Sequence, residues 1–496
     1  INKKQLSQLS GLSKKYRAMR KFLNKYRSLS IQAKAAIWYT ICNLLQKGIS
    51  LIAVPIYTRI LTLEQYGSYT VFLSWLEIFE IVATFRLSWG GFMVGLTKYD
   101  ADRDRYTSSV QGLGFTVTSI ALLIYLAIPK IIDRVTGMSF GLTLLIFALL
   151  YTMPSITFWS ARQRVEYRYQ AVVAITMTSS ILIPILGVAA AVTIDHKEYA
   201  VIGARVIVQG VIGLVLLFAN CHKHFCFFHK EYWQRSLRFN VPLLPYYLST
   251  VLLNSSDRII IQNLVGKAQA GIYGVAYSAS MVMSLFNSSI NSSLQPWLFV
   301  KLKQKQYKDI PPVINSLLIL VAGLNLMLIA FAPEAIAILA PPQYAEAIWV
   351  VPPLAASVFV MFFYQHFVNV EFYFEDSKII AIASIGSAIL NVFLNFLLIP
   401  VMGYLVAGYT TLASYLVFCF AHYMFMCGIC KKNGCPTNIV NIRQMLLIMA
   451  TFFALMALLA FGYTVTPIRY IFLVVLLLFV GVKRHWILEK IWVLKK

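Results

Sequence analysis

Seven ionisable side chains stand inside long apolar stretches of this sequence: Lys47, Glu77, Glu80, Arg86, Arg205, Asp257 and Arg258. Each costs roughly 2.5–3.5 kcal/mol at the centre of a bilayer on insertion scales, so each should line a wet cavity, pair with another, or lie near the interface. Lys47 follows Asn43 by four residues, which puts both on one helix face. Gly48 and Pro55 come next and weaken the helix. Such a segment reads either as a moving wall of a polar cavity or as a lysine held by neighbouring carbonyls as structural glue. Glu77 and Glu80 also share a face. Two close carboxylates repel when both are charged, which makes the pair a candidate for ion or proton coupling, or else one of them pairs with another helix. Arg86 lies about 180° from Glu77 around a continuous helix and cannot neutralise it locally. Asp257 and Arg258 are adjacent and either pair with each other or split between coupling and binding. Arg205 sits in the outer third of its segment and either snorkels or faces a cavity. The four cations exceed the three acids, which suits an anionic cargo. Arginine's planar fork in particular matches phosphate. The expected substrate-binding set is therefore Lys47, Asn43, Arg86, Arg205 and Arg258, and the expected coupling set is Glu77, Glu80 and Asp257.

The elements that position these groups follow from composition. Of 496 residues, 59% are hydrophobic and only 12% charged, with a mean hydropathy of +0.71. A soluble chain of this length carries about twice that charged fraction. Lipid must be the solvent, and the fold class expected is an all-α integral membrane protein. Stretches long enough to span recur near 35–61, 67–97, 107–129, 139–160, 171–194, 199–219, 241–264, 270–299, 311–332, 346–368, 378–400, 404–428, 444–466 and 467–482. That makes about fourteen transmembrane helices.

The formal charge of +24 separates by position. Of 43 Lys and Arg, 33 fall in the N-terminus, the loops between even and odd spans, and the C-terminus. Only Arg59, Lys130, Arg134, Lys197, Lys267 and Arg469 fall on the other side. Basic loops mark the cytoplasmic side, so both termini are expected there. The positive charge is topological, and nucleic acid is excluded as a partner.

A repeat is also visible. Tyr66-Gly67-Ser68-Tyr69 and Ala270-Gly271-Ile272-Tyr273 lie at the same offset as Lys34 and Arg238. Six spans per half insert in the same orientation, as in a parallel repeat suited to alternating access. The expected organisation is a basic cytoplasmic segment at 1–34, a six-helix bundle at 35–220, a basic linker at 221–240, a second six-helix bundle at 241–428, and two C-terminal helices with a basic tail at 429–496. Leu6, Leu9, Leu12, Tyr16, Met19, Leu23 and Tyr26 recur at helical spacing between basic residues. They read as a helix on an anionic membrane face or as a disordered basic tail. No long apolar run marks a signal peptide in the first 34 residues, and Ile1 in place of Met leaves the true start open.

Other chemistries find little support. The seven cysteines contain no CxxC pair, and the run around Cys221 and Cys226 fits no standard zinc spacing, so no metal or cofactor is expected. The loops are too short for a separate catalytic domain, and Asp100, Asp102 and Asp104 alternate with basic residues as in a solvated loop. An enzyme such as a polysaccharide polymerase or ligase is therefore disfavoured. A drug or small-molecule antiporter remains the rival transporter reading.

At this point a family resemblance carries further. Pro55, Thr58-Arg59 and Glu64-Gln65-Tyr66-Gly67 resemble the end of the first span in bacterial polysaccharide flippases of the O-antigen and capsule type. Ala161-Arg162-Gln163-Arg164 with Tyr169 resembles their loop after span 4. Asp257-Arg258 with Gly271-Ile272-Tyr273, and Asn391 to Asn395 with Ile399-Pro400 and Gly403, resemble later motifs in the same order. Val406-Ala407-Gly408 departs from the usual Gly-Ala-Ala. The resemblance implies the fold of the multidrug, oligosaccharidyl-lipid and polysaccharide exporter superfamily in a bacterial cell (inner) membrane. It implies flipping of polyprenyl-pyrophosphate-linked glycans to the outer leaflet, with a polymerase and glycosyltransferases as partners. It transfers no role to Lys47, Arg86 or Glu77.

Overall fold

The computed structural model describes residues 28–374, 377–436 and 439–465, then 467, 469–472, 474, 475 and 478. The amphipathic pattern expected at residues 6–26 and the basic tail beyond 478 lie outside the described residues. Among the described residues every regular element is helical. In chain order they are α1 (Ile31–Ile60), α2 (Leu63–Thr84), α3 (Gly90–Lys98), α4 (Arg103–Ala127), α5 (Pro129–Thr136), α6 (Phe140–Val165), α7 (Tyr169–Ala191), α8 (Lys197–Cys221), α9 (Lys230–Asn240), α10 (Leu244–Leu264), α11 (Lys267–Lys303), α12 (Ile310–Ala330), α13 (Ala332–Leu339), α14 (Val351–Tyr373), α15 (Ser377–Met402), α16 (Val406–Lys432) and α17 (Ile442–Phe461).

Ten helices are long and apolar enough to cross a membrane. The chain is an all-α, multi-pass membrane protein. Three further long helices, α2, α10 and α11, are more polar. Glu77 and Glu80, Asp257 and Arg258, and the Ser/Asn-rich run from Ser284 to Ser293 lower their hydropathy. These thirteen helices fall where the first thirteen spans were expected. The fourteenth, expected at 467–482, is only partly described.

Local sequence explains the ends. The Thr62 hydroxyl accepts from Gln65 N at 3.2 Å while the Gln65 amide accepts from Thr62 N at 3.1 Å, a reciprocal box that starts α2 one short turn after α1. Ser30, Ser139 and Asn441 cap α1, α6 and α17 in the simpler way. The segment expected to run unbroken over 67–97 is broken. Phe85 and Arg86 adopt left-handed backbone, with φ of 52° and 45°, and the Thr84 hydroxyl accepts from Arg86 N at 3.2 Å. The helix stops there and a new one starts at Gly90-Gly91. α11, at 37 residues, extends about 55 Å, well beyond the roughly 30 Å of bilayer hydrocarbon.

Helices before and after the linker meet mostly through α1 and α2. α2 packs along α11 and α10, whereas α1 touches α11 and α13 more lightly. On the face opposite the basic loops the contact is tight. Thr58 donates to Leu339 O at 2.7 Å, Arg59 to Ile338 O at 3.1 Å, and the Tyr66 and Tyr344 rings meet edge-on at 6.0 Å. α2 and α11 cross where Gly67 faces Gly271. A Cβ on Gly67 would lie 1.8 Å from the Lys267 carbonyl oxygen, so only glycine permits this approach. One large buried cluster spans this crossing and includes Tyr57, Tyr66, Phe72, Ile260 and Tyr273.

This contact generates a stability prediction. Gly67→Ala forces the α2–α11 crossing apart and lowers stability by about 1–3 kcal/mol. Gly48→Ala, where an added Cβ meets open space, leaves stability unchanged or raises it by up to about 1 kcal/mol. Thermal unfolding of both variants in detergent separates the two cases.

Candidate functional site

The polar helices enclose a cavity of ≈ 300 Å³. Gln46, Ser50 and Tyr57 of α1, Tyr66 and Tyr69 of α2, and Arg205 and Gln209 of α8 line it from before the linker. Arg258 of α10 and Ser278 of α11 close it from after the linker. The cavity holds both arginines and no carboxylate in its wall. α2, α10 and α11 each contribute to this wall, and a helix that borders water needs no full apolar surface.

The two arginines are only partly satisfied. Arg258 donates to Ser255 Oγ at 3.1 Å and lies 4.6 Å above the Tyr277 ring. Its Nε, like that of Arg205, is buried without a hydrogen-bond partner. Neither guanidinium has an ion-pair partner within 4 Å among the described residues. A buried donor left unpaired costs about 1–3 kcal/mol, more when charged. Two such groups therefore line one cavity with unused donor capacity.

The remaining predicted residues divide by location. Asn43 and Lys47 are exposed on α1 and are outside the wall of this cavity. At 100° per residue, Lys47 lies about 20° from Val54, which lines the cavity, and from Thr58, which bonds across to Leu339. Lys47 therefore points toward the helices after the linker. Ser288, Ser289, Ser292 and Ser293 of α11 are exposed as well. Exposed serines and a lysine thus stand on two helices that touch only lightly.

Arg86 is neutralised. It lies 3.8 Å from Glu80, 4.4 Å above the Trp89 ring and 5.3 Å from the Tyr247 ring. The helix break makes this possible, because left-handed backbone at Phe85 and Arg86 takes Arg86 out of the helical register in which it would point away from Glu77. Glu80 also accepts from Trp89 Nε1 at 3.3 Å. Glu77 is exposed and accepts from Ser255 Oγ at 2.9 Å, so a chain from Glu77 through Ser255 to Arg258 ties α2 to α10.

Asp257 does not pair with Arg258. Their 100° separation sends Arg258 to the cavity and Asp257 into the packing among α10, α11, α15 and α16. There Asp257 is 2% exposed and accepts from Tyr273 Oη at 2.5 Å, Asn395 Nδ2 at 2.6 Å and Thr411 Oγ1 at 2.7 Å. Thr410 donates to Asn395, Asn391 donates to Thr411 at 3.1 Å, and Ser256 donates to Asn391 at 3.1 Å. The site is a buried, oxygen-rich network around one carboxylate.

Sequence reasoning missed most of these supporting groups. Asn391 and Asn395 stand four apart on one face of an apolar helix, a signal comparable to Asn43 and Lys47. Tyr66 and Tyr69 stand in the repeated motif, but nothing in that pattern, or around Tyr57, marks them as lining a cavity. A second buried pair, His422 and Glu371, 2.8 Å apart and both fully enclosed, was also absent from the expected set.

Comparison with known proteins agrees with this geometry. Residues 33–301 match the family described as Polysaccharide biosynthesis protein. An uncharacterized membrane protein of Haemophilus influenzae is 23% identical over 351 residues, which cover 68% of this chain and 76% of that protein. Among solved structures, the lipid II flippase MurJ in an inward closed conformation superposes with a TM-score of 0.65 at 14% identity, covering 91% of this chain and 100% of that one. An inward-facing multidrug resistance transporter of the MATE family, in the MOP superfamily, gives a TM-score of 0.59 at 13% identity, covering 80% and 99%. At these identities the two structures speak for the fold.

The exposed positions of α1 and the buried network differ in access, and cysteine labelling reads that difference. In a background with the seven native cysteines replaced, Lys47→Cys and Ser50→Cys react with a membrane-impermeant thiol reagent added from the basic face. Thr411→Cys stays unmodified under the same conditions. Equal labelling of all three positions would contradict the placement of the cavity.

Proposed function

Because the chain belongs to the polysaccharide biosynthesis protein family, we propose that it carries polyprenyl-pyrophosphate-linked oligosaccharide repeat units from the cytoplasmic to the outer leaflet of a bacterial inner membrane. The observation that carries this reading is the pair Arg205 and Arg258. One comes from each side of the linker, both face one cavity, and both keep a buried Nε–H without a partner. A pyrophosphate offers oxygens to both forks at once.

Mechanism follows from the placement of the groups. The bundles at 35–220 and 241–428 rock about the α2–α11 crossing. Lys47 and Asn43, exposed on α1, attract the head group as it enters. Arg205 and Arg258 then take the pyrophosphate, and Gln46, Gln209 and the tyrosines hydrogen-bond and stack against the sugar. The polyprenyl tail never leaves lipid. It passes along the lightly packed seam between α1 and α11. Arg86 joins the anion site when Glu80 gains a proton and releases it. Asp257, held by hydroxyls and amides alone, binds a proton or a monovalent cation, and its occupancy sets the packing of α10 against α15 and α16.

On this reading both termini are cytoplasmic and the protein performs no bond-making or bond-breaking step. Glycosyltransferases supply its cargo and a polymerase consumes it. Proteoliposomes loaded with a pyrophosphate-linked glycan test it. Arg205→Ala and Arg258→Ala each slow translocation by about 10–100-fold, the loss of one charge-assisted contact. Arg205→Lys retains the charge without the fork and falls between. Unchanged transport in both alanine variants would remove the anion site. Export of organic cations with indifference to the pyrophosphate lipid would reassign the protein to drug antiport.

A further inference from the structure

A second, separate cleft of ≈ 430 Å³ lies between α4 and α8, against the loop that follows α8. Its walls are apolar, formed chiefly by Phe115, Leu217, Phe218, Phe225 and Phe227. We propose that this cleft holds an acyl chain of an anionic phospholipid from the adjoining leaflet, with the head group at Arg105, His222 and Lys223.

Three observations converge. First, the cleft opens to lipid. Val211, Leu214 and Phe218, spaced three and four apart, form one exposed stripe on α8, and the next turn of that stripe, Cys221 and His222, lines the cleft. Second, the loop sits at head-group depth. Phe225 is 73% exposed and Phe228 59%, and they are flanked by Lys223, His224 and Lys230. Aromatic side chains between basic ones are the pattern of an interfacial segment. Third, the cleft is preformed. The Phe227 carbonyl packs so close to Gly112 that a Cβ there would lie 2.3 Å from its oxygen, and Cys226 N donates to Ser108 Oγ at 3.1 Å.

Charge selects the head group. Arg105 reaches the thiol of Cys226, in the loop that carries His222 and Lys223. The acids nearby are Asp102, which faces Arg105 and accepts from Tyr232 Oη at 2.6 Å, and Glu231, which accepts from Tyr99 Oη at 2.6 Å. Arg105, Lys223, Lys230 and Arg235 outnumber these two carboxylates, so the rim carries net positive charge. An apolar slot continuous with the acyl region and capped by cations fits a two-tailed anionic lipid. This assignment is independent of the cargo proposed above, because it requires the membrane alone.

Native mass spectrometry of the purified full chain, with equal amounts of dioleoyl phosphatidylglycerol and dioleoyl phosphatidylcholine added, tests the proposal. The wild type retains phosphatidylglycerol in preference. The exposed double variant Arg105→Glu/Lys223→Glu loses that preference by about fivefold or more per cation removed. Lys431→Glu/Lys432→Glu, at the same face but away from the cleft, keeps it. Cys221→Trp fills the slot and lowers retention of both lipids. Equal retention by the wild type, or the same loss in both double variants, would overturn the proposal. Displacement of phosphatidylglycerol by an equimolar polyprenyl phosphate would also overturn it, by assigning the slot to the cargo's tail.

Discussion

A guanidinium in a bilayer cannot stand without water or a counter-charge, and this constraint organises the rest of the molecule. Arg205 and Arg258 have neither a carboxylate partner nor a full set of hydrogen bonds. Their shared cavity must therefore be wet, and the helices around it must be polar on one side. α2, α10 and α11 are the long helices that miss the apolar standard of the others, and all three contribute to the wall. Arg86 satisfies the same constraint differently, by pairing with Glu80 beneath a break in the helix. Asp257 satisfies it a third way, through three neutral donors.

The repeat explains why the cavity lies between the two sets. Gly67 and Gly271 occupy equivalent positions in the repeated motif, and the structure brings them face to face. Equivalent residues meet only near the axis that relates two copies, so the crossing of α2 and α11 sits close to that axis. The backbones touch there because neither glycine has a side chain. The contact holds α2 and α11 together at this crossing, whereas α1 packs on α11 only lightly.

Much of this was legible in the sequence, for identifiable reasons. Long apolar runs declare themselves one by one, so α1, α4, α6 to α8, α12 and α14 to α17 fall where hydropathy places them. The polar stripe of Asn43 and Lys47 was legible because helical periodicity needs only local spacing. Arg86 was misjudged because a continuous helix was assumed. Left-handed backbone at Phe85 and Arg86 has no reliable sequence sign in non-glycine residues. Asp257 and Arg258 were left as a possible pair because the choice between them depends on what surrounds α10. Tyr273, Asn395 and Thr411 come from three other helices, and no local pattern reports their convergence. Tyr66 and Tyr69 stand out as part of the repeat, but their place in the cavity wall depends on the same convergence.

The central claim is that two incompletely bonded arginines select a pyrophosphate. Binding isotherms for three ligands with the same polyprenyl chain test it most directly: a pyrophosphate-linked glycan, a monophosphate and the free alcohol, each offered to the full chain in nanodiscs. The account predicts saturable binding that is tightest for the pyrophosphate, about tenfold or more weaker for the monophosphate, and absent for the alcohol. Binding of the alcohol with the affinity of the pyrophosphate would contradict it.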